Sequence, residues 1–344
     1  MNTDDQLDLF NELDDFKPTD DFLNGNKHHG RFTARDRRRL RAGTREFVAS
    51  QDDSRQSFKF SYKAARFEEW WLLDSLGDFF EHKWISDVFS RVKGGKEASV
   101  YLCRAGVAID APLVAAKVYR PRSLRNLKND AEYRVGRIDL DEDGHIIKDD
   151  RASRAVQKRT DYGETLRHQS WISYEYQTLE TLHKAGADTP TPYATGKNAI
   201  LMGYVGDLGA PAPELSAVTL QRGEVAPLFD RVMQNIDLML AHERIHGDLS
   251  AYNILYWDGG ISLIDFPQVV VPGKNPAAWT IFLRDVTRVC QYFESQGLRT
   301  DPRRIAGQLW TAHGYKVGKD VHPRDLDPDN AEDRSLWEHQ QEDG

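Results

Sequence analysis

Two short runs near residue 250 constrain the fold of this 344-residue chain more than any other feature. The first is His-Gly-Asp-Leu-Ser-Ala-Tyr-Asn, in which Asp248 is followed five residues later by Asn253. The second, Leu-Ile-Asp-Phe-Pro-Gln, ends a short apolar stretch at Asp265. In kinases the same order places a base beside the attacking hydroxyl and two oxygen ligands on magnesium. The two runs therefore predict a phosphoryl-transfer centre.

Each of these side chains suits one step of that chemistry. We expect Asp248, on a loop held by apolar neighbours, to accept the proton of the attacking hydroxyl. Asn253 and Asp265 offer a neutral and a charged oxygen, which are the ligands that Mg²⁺ prefers and that Mn²⁺ also accepts. A hairpin turned at residues 258–260 would let them converge on one site. The alternative is a turn aspartate with a capping asparagine, and the flanking apolar strands disfavour it.

Lys117 is the second element, in the apolar run Val-Ala-Ala-Lys-Val-Tyr. A lysine inside a small apolar strand is costly to bury without an anionic partner. In kinases this lysine contacts the α- and β-phosphates and a glutamate on a helix. Glu175 is the predicted partner, with Glu180 as the alternative one helical turn further along.

A glycine-containing turn is the third element. Gly94 and Gly95 precede Lys96, in a run that fits neither GxxxxGK[ST] nor GxGxxG and so excludes a P-loop. Two glycines still let backbone amides approach a phosphate, and we expect Lys96 and Ser99 to act as additional donors, with Val100 beside the nucleotide. Alone the signal is weak, since Gly-Gly also forms ordinary hairpin turns.

Hydrophobic periodicity predicts an α+β chain. Residues 1–60 alternate charge blocks with little apolar content and are predicted to be mostly disordered, as is the acidic tail 315–344. Residues 61–314 form the predicted domain, with a flexible charged insertion over about 120–164. The predicted elements are a helix at 65–84, strands at 88–92, 98–103 and 113–119, a helix at 170–185, a strand at 199–205, a helix at 227–243, strands at 253–257 and 261–265, and helices at 283–293 and 303–312.

Composition limits the partners and the cellular compartment that the sequence predicts for this chain. The formal net charge of -8 argues against a general nucleic-acid coat. With only Cys103 and Cys290, neither a disulfide framework nor a CxxC metal site is predicted. The first residues lack a signal peptide, and no apolar run could span a bilayer, so we expect a cytoplasmic chain with no membrane partner. A local basic run could bind RNA phosphates, although composition alone favours a solvated or helical charged arm: Arg35, Arg37, Arg38, Arg39 and Arg41.

Taken together, these motifs resemble the RIO family of atypical serine/threonine protein kinases. The matching runs are Gly-Lys-Glu-Ala-Ser-Val-Tyr from residue 95, Ala-Lys-Val-Tyr from 116, Trp171 with Glu175, Leu-His-Lys-Ala-Gly from 182, the His-Gly-Asp and Ile-Asp-Phe-Pro-Gln runs, Asn-Pro from 275 and Phe-Leu-Arg-Asp-Val from 282. The resemblance covers residues 85–297. It implies a bilobal kinase fold trimmed of its activation loop and peptide-binding subdomains, with an antiparallel N-lobe sheet and a mostly helical C-lobe.

The resemblance also implies roles for individual residues. Lys117 would contact phosphates and pair with Glu175, Asp248 would be the catalytic aspartate, and Ser250 would lie near the γ-phosphate of ATP. Residues 202–206 would form the hinge that receives adenine, with these candidates: Met202, Tyr204 and Gly206. Asp265, besides binding metal, could accept a phosphoryl group in an ATPase cycle linked to ribosomal-subunit maturation.

Two departures from the kinase patterns stand out. Ala251 occupies a position that usually carries charge, and Gly247 replaces the arginine of ordinary kinases. Two further functions stay open at this point. One is a small-molecule phosphotransferase of the aminoglycoside or choline kinase type, which shares His-Gly-Asp. The other is an ATP-switched ribonucleoprotein assembly factor that uses the arginine run. The protein substrate cannot be predicted from the sequence.

Overall fold

A five-stranded antiparallel sheet forms most of the N-terminal lobe in the computed structural model, which describes residues 58–95, 97–120 and 161–316. Its strands lie in the order β1-β2-β3-β5-β4. Helix α1 covers one face of the sheet, and helix α2 contacts the strands beyond β3. The bounds are β1 Ile85–Gly94, β2 Ala98–Ala105, β3 Leu113–Tyr119, β4 Pro192–Thr195, β5 Ala199–Gly203, α1 Arg66–Glu81 and α2 Asp161–Lys184.

The sheet follows the predicted strands with one addition. Strand β4 was not predicted, because Pro192 opens it and proline is poorly suited to a strand interior. It pairs only with β5, at the edge of the sheet, where a missing N–H is tolerated. Helix α2 begins at Asp161, inside the segment predicted as a flexible insertion. The rest of that insertion, residues 121–160, lies outside the described residues.

The C-terminal lobe is mainly helical. Helix α3 presents apolar residues at helical spacing to the core, among them Leu228, Val232 and Ile236. Asp301 caps α5, accepting a hydrogen bond from the Arg304 backbone N–H at 3.0 Å. The bounds are β6 Gly206–Asp207, β7 Ala210–Pro211, α3 Val225–Ala241, β8 Ile254–Trp257, β9 Gly260–Leu263, α4 Ala278–Ser295 and α5 Pro302–Ala312, with 3-10 helices at Leu215–Ala217 and Ala251–Asn253.

Each lobe has its own apolar core. One cluster lies between α1 and the sheet and includes Leu72, Leu76 and Val114. The other fills the C-terminal lobe and extends into the N-terminal lobe as far as Tyr119 and Trp171. The cleft that holds the predicted site residues lies at this junction, where the second cluster crosses from one lobe to the other.

Both ends of the domain extend further than predicted. Phe58, placed in the disordered segment by the sequence, stacks on Phe80 with ring centroids 3.7 Å apart. At the other end, Tyr315 lies against Trp310, whose indole N–H donates to the carbonyl of Lys316 at 3.0 Å. The remainder of both predicted tails lies outside the described residues. None of the helices in the described part of the chain combines the length and apolar character needed to cross a bilayer.

Candidate active site

Lys117 is the centre of a buried ionic cluster. The strand register places it opposite Val100 on β2 and Ile200 on β5, with its side chain directed into the cleft. Its Nζ lies 2.5 Å from Glu175 Oε1 and 2.5 Å from Asp265 Oδ1. The predicted partnership with Glu175 is confirmed. The alternative, Glu180, pairs instead with Lys184 on the surface of α2.

The protonation of this cluster follows from burial and charge. Burial alone lowers the pKa of Lys117, but the Asp265 and Glu175 carboxylates outweigh it and hold that pKa above its ordinary value. Burial disfavours ionised Asp265, yet the Lys117 ammonium keeps its pKa below the usual range. Glu175 is more deeply enclosed, and burial raises its pKa despite Lys117. The cluster thus holds a charged lysine against a charged Asp265.

Tyr119 completes the cluster and was not assigned a role from the sequence. Its hydroxyl donates to Glu175 Oε2 at 2.5 Å. Its backbone carbonyl accepts the indole N–H of Trp71 at 2.8 Å, which ties α1 to the end of β3. Strand alternation in the sequence could have indicated this contact. Tyr119 lies two residues after Lys117, so both side chains are on the same face of the sheet.

The hairpin β8–β9 brings the two predicted metal ligands together. Asn253 ends the 3-10 helix before β8, and its carbonyl accepts the backbone N–H of Ile264 at 3.0 Å, directly before Asp265. Asp265 has a φ of 72°, a left-handed conformation that is uncommon for aspartate. The buried ring of His246 contacts the carbonyl of Ile264 through Nε2 at 3.1 Å. The backbone beside Asp265 is thus held from two sides.

These two side chains fit a hard cation. The amide nitrogen of Asn253 donates to the carbonyl oxygen of Asp248 at 2.8 Å and approaches its Oδ2 at 3.4 Å, so Oδ1 is the atom of Asn253 suited to a metal. Asp265 contacts Lys117 through Oδ1 and is 44% exposed, leaving Oδ2 suited to a second metal contact. One amide and one carboxylate oxygen suit Mg²⁺, which takes its remaining ligands from phosphates and water.

Asp248 lies at the open side of the same loop. Its side chain is 54% exposed, and its Oδ1 accepts a hydrogen bond from Arg288 Nη1 at 2.9 Å. Ser250 directly precedes the 3-10 helix, and its carbonyl accepts the backbone N–H of Asn253 at 2.9 Å. The catalytic candidate is therefore accessible to an incoming acceptor while Asn253, beside it, is buried.

Helix α4 holds the catalytic loop through contacts at Gly247. The N–H of Gly247 donates to the buried carboxylate of Asp285 at 2.8 Å, and its carbonyl accepts from Arg284 Nη2 at 2.6 Å. Gly247 has a φ of 81°, and a Cβ there would lie 2.1 Å from the carbonyl oxygen of Gln268. The loop therefore requires glycine at this position on steric grounds. Asp285 and Arg284 support the loop, and the sequence assigned no role to either of them.

The glycine turn is confirmed as a tight hairpin between β1 and β2. The N–H of Gly95 donates to the carbonyl of Ala98 at 2.9 Å, and a Cβ on Gly95 would approach that oxygen to 2.8 Å. Gly94 ends β1 opposite Ser99. Lys96 lies outside the described residues.

Ser99 was predicted to donate to a phosphate, but its side chain lies on the opposite face of the sheet from the cleft. Val100 is paired with Lys117 and shares its face of the sheet, whereas Ser99 is paired with Val118, which packs in the core beneath α1. Ser99 is buried, and its neighbour on the same face, Tyr101, donates to Glu68 of α1 at 2.7 Å. The side chain of Ser99 therefore faces α1, because successive side chains along a strand point to opposite faces of the sheet.

The hinge residues join the two lobes beside the cleft. Met202 lines the cleft, and Tyr204 lies between β5 and β6, with its hydroxyl donating to the carbonyl of Asp207 at 3.3 Å. Gly206 has a φ of 127°, and a Cβ there would lie 2.6 Å from the carbonyl oxygen of Ala210. Gly206 is thus required by the tight ribbon that begins the C-terminal lobe.

A narrow cleft lies at the junction of the lobes. Apolar side chains from both lobes form most of its wall, with the ionic cluster at one side. At the mouth of the cleft, Lys93 of β1 forms an ion pair of 2.5 Å with Glu214 of the C-terminal lobe. The lining residues are Lys117, Glu175, Leu179, Pro190, Ile200, Met202, Ile264, Asp265 and Phe266.

Comparison with known sequences finds relatives in one family. The sequence profile of the RIO domain matches residues 110–305, more than half of the chain. The RIO-type serine/threonine-protein kinase Rio1 of Thermoplasma acidophilum is 33% identical over 135 residues, which is 39% of this chain and 69% of that protein. Rio1 of Methanocaldococcus jannaschii is 27% identical over 254 residues, 74% of this chain and 76% of that protein. Human serine/threonine-protein kinase RIO3 is 33% identical over 38% of this chain, a quarter of that protein.

The fold has a counterpart among solved structures. The Rio2 kinase from Chaetomium thermophilum superposes with a TM-score of 0.50, covering 88% of both chains at 20% sequence identity. At that identity the match concerns the fold alone. The predicted α+β, bilobal kinase-like architecture is confirmed.

Proposed function

This chain belongs to the RIO family of serine/threonine protein kinases, and on that premise we propose that it transfers the γ-phosphoryl group of ATP with the cleft residues as its machinery. The observation that carries the assignment of roles is the contact of one lysine, Lys117, with both Glu175 and Asp265. A lysine held in this way presents its charge to the α- and β-phosphates of a nucleotide. Phosphoryl transfer depends chiefly on such positioning and charge stabilisation.

In the proposed step, a hydroxyl oxygen of the acceptor forms a bond to the γ-phosphorus while the bond to the bridging oxygen of ADP breaks. The proton of the hydroxyl passes to the carboxylate of Asp248, which is 54% exposed and so within reach of an acceptor. Asn253 and Asp265 hold Mg²⁺, which neutralises charge on the phosphates when bound. Met202 and Tyr204 of the hinge lie where adenine would be received.

Asp265 has a second proposed role as an acceptor. An attack by its carboxylate oxygen on the γ-phosphorus would produce an acyl phosphate and ADP, and water would then release inorganic phosphate. Its side chain is partly exposed and ionised beside Lys117, as a nucleophile requires. A hydroxyl acceptor and this aspartate are distinguishable by the stability of the product, because hydroxylamine cleaves an acyl phosphate to a hydroxamate and free phosphate, whereas phosphoserine esters resist hydroxylamine.

Incubation with γ-labelled ATP and Mg²⁺ tests the assignment. We expect label on the protein or in free phosphate with the parent chain and a large loss in Asp248→Ala and Asp265→Ala. Turnover and labelling that survive unchanged in both variants would contradict the proposal. Mapping the label to Asp265, to a hydroxyl of this chain or to an added protein then identifies the acceptor.

The two other functions receive less support. The relatives described above carry RIO-type kinase names, which does not favour a small-molecule phosphotransferase. Binding of RNA or a ribosomal subunit through the arginine run at residues 35–41 stays a prediction, since that run lies outside the described residues. Loss of salt-dependent RNA binding on deletion of residues 31–45 would support it.

A further inference from the structure

Arg288 lies beside the catalytic candidate without belonging to any motif of the sequence. It is on α4, one helical turn after Arg284, so the two side chains project from the same face of the helix toward the catalytic loop. Arg284 contacts the backbone of Gly247, whereas Arg288 contacts the side chain of Asp248. The helix thus has one contact that supports the loop and another that reaches the reacting carboxylate.

The loop that carries Asp248 has no positively charged side chain that could replace Arg288. Residues 247–253 contain no lysine or arginine. Among the described residues, Lys117 is paired with Glu175 and Asp265, and Lys93 with Glu214. The cation that contacts Asp248 in the described part of the chain is Arg288 of α4.

The geometry restrains both oxygens of Asp248. Arg288 Nη1 donates to Oδ1 at 2.9 Å, and the amide nitrogen of Asn253 lies 3.4 Å from Oδ2. With an oxygen held on each side, rotation of the carboxylate about its Cβ–Cγ bond is restricted. A base held in one orientation accepts a proton at a lower entropic cost than one that rotates freely.

We infer that Arg288 is a positioning residue for phosphoryl transfer, holding the Asp248 carboxylate in the orientation that accepts the proton of the acceptor hydroxyl. The inference rests on the proposed function of Asp248. The Arg288–Asp248 pair is solvent-accessible, with side chains 37% and 54% exposed. A pair of that kind contributes little to stability, so its loss changes catalysis more than folding.

The test compares Arg288→Ala with Arg288→Lys, Asp248→Ala and the control Arg304→Ala in the full chain. Arg304 is a surface arginine on α5 whose side chain contacts Gln308. For each variant, kcat and KM for ATP are measured in the γ-labelled assay, together with ATP affinity and Tm. Added guanidinium ion at millimolar concentration tests chemical rescue.

We expect Arg288→Ala to lower kcat by about 10- to 100-fold, part of the 10²- to 10⁴-fold that a positioned base contributes. ATP affinity and Tm should stay near the parent values. Guanidinium should restore part of the rate in Arg288→Ala and none in Arg304→Ala, and Arg288→Lys should lie between alanine and the parent.

Two results would overturn the inference. An unchanged or increased kcat in Arg288→Ala would mean that the arginine is dispensable or restrains an inactive base. A lower kcat with reduced Tm and ATP affinity and no rescue would mean a structural role. If Asp248→Ala is inactive while Arg288→Ala is fully active, only this inference fails; if Asp248→Ala is active, the proposed function of Asp248 fails first.

Discussion

Asp265 and Asp248 are two carboxylates of the same cleft, and they are held in contrasting ways. Asp265 contacts Lys117, whose side chain is 9% exposed and whose other partner, Glu175, is 5% exposed. Asp248 is 54% exposed and contacts Arg288, itself 37% exposed. Asp265, itself 44% exposed, contacts an enclosed lysine, whereas Asp248 belongs to a pair in which both side chains are exposed.

This difference gives different physical tasks to the two sides of the cleft. The buried side is the cluster of Lys117, Glu175 and Asp265, and the exposed side is the Arg288–Asp248 pair. Charges interact more strongly where water is excluded, so the buried cluster orients its members firmly but cannot lose one without leaving another unpaired. The exposed pair contributes little to stability, and its carboxylate is open to an incoming hydroxyl. Substitutions on the buried side should therefore affect folding and function together, and those on the exposed side function alone.

Lys117→Met tests the buried side and should have the largest effect. It leaves Glu175 and Asp265 without their cation, which should lower the free energy of unfolding by about 3–5 kcal/mol and abolish ATP turnover. Denaturation in urea followed by circular dichroism measures the loss. The double variant Lys117→Met/Glu175→Leu should recover part of the stability but no activity. A single variant as stable as the parent would remove the contrast between the two sides.

Asp248→Asn tests the exposed side. We expect kcat to fall by about 10²- to 10⁴-fold, because an amide cannot accept the proton of the acceptor hydroxyl. The free energy of unfolding should change by less than about 1 kcal/mol, as is typical of exposed ion pairs. Paired measurements of ATP turnover and urea denaturation check both values. A loss of stability as large as that of Lys117→Met would show that the exposure of the cationic partner, Lys117 or Arg288, does not separate the two aspartates.

Gly247→Ala tests the backbone that carries Asp248. Gly259 is a matched control, since it has a φ of +76° with nothing within 4 Å of a Cβ, whereas a Cβ at Gly247 meets the Gln268 carbonyl at 2.1 Å. Backbone strain of this kind costs about 1–3 kcal/mol, and Gly247→Ala adds a clash to it. We expect Gly247→Ala to lose more stability than Gly259→Ala, and to lose activity as well. Equal losses in Tm would mean that the loop moves to accommodate the methyl group.

Asp285→Asn should have the smallest effect, visible as a pH dependence. Burial raises the pKa of Asp285 to about 7, so the folded chain retains a proton there that the unfolded chain, with a carboxyl pKa of about 4, has released. The stability that this proton contributes is full below about pH 4 and is lost as the pH rises through about 7.

An asparagine can still accept the hydrogen bond of Gly247 but does not ionise. The free energy of unfolding of Asp285→Asn relative to that of the parent should therefore rise between about pH 5 and about pH 8, by at most about 1.4 kcal/mol per pH unit, and the difference in Tm should rise with it. Thermal denaturation of both proteins across this range measures the difference. A difference in Tm that is constant with pH would mean that Asp285 is ionised throughout.

Local sequence motifs were enough to predict the candidate residues of the cleft. Lys117, Asp248, Asn253 and Asp265 were predicted because each lies in a short motif whose residue types suit one step of phosphoryl transfer. Glu175 followed from its order after Lys117, and most helices and strands from hydrophobic periodicity. These features are local, so they can be recognised without knowing how the lobes meet.

The side chains that contact and orient these candidates become apparent only in the folded chain. Asp285 and Arg288 contact the catalytic loop from positions 38 and 40 residues further along the chain. Tyr119 reaches Glu175 across 56 residues, and strand pairing directs Ser99 toward α1 rather than toward the phosphates. Such contacts depend on how strands are paired and how helices pack over long sequence separations, and no local propensity specifies them.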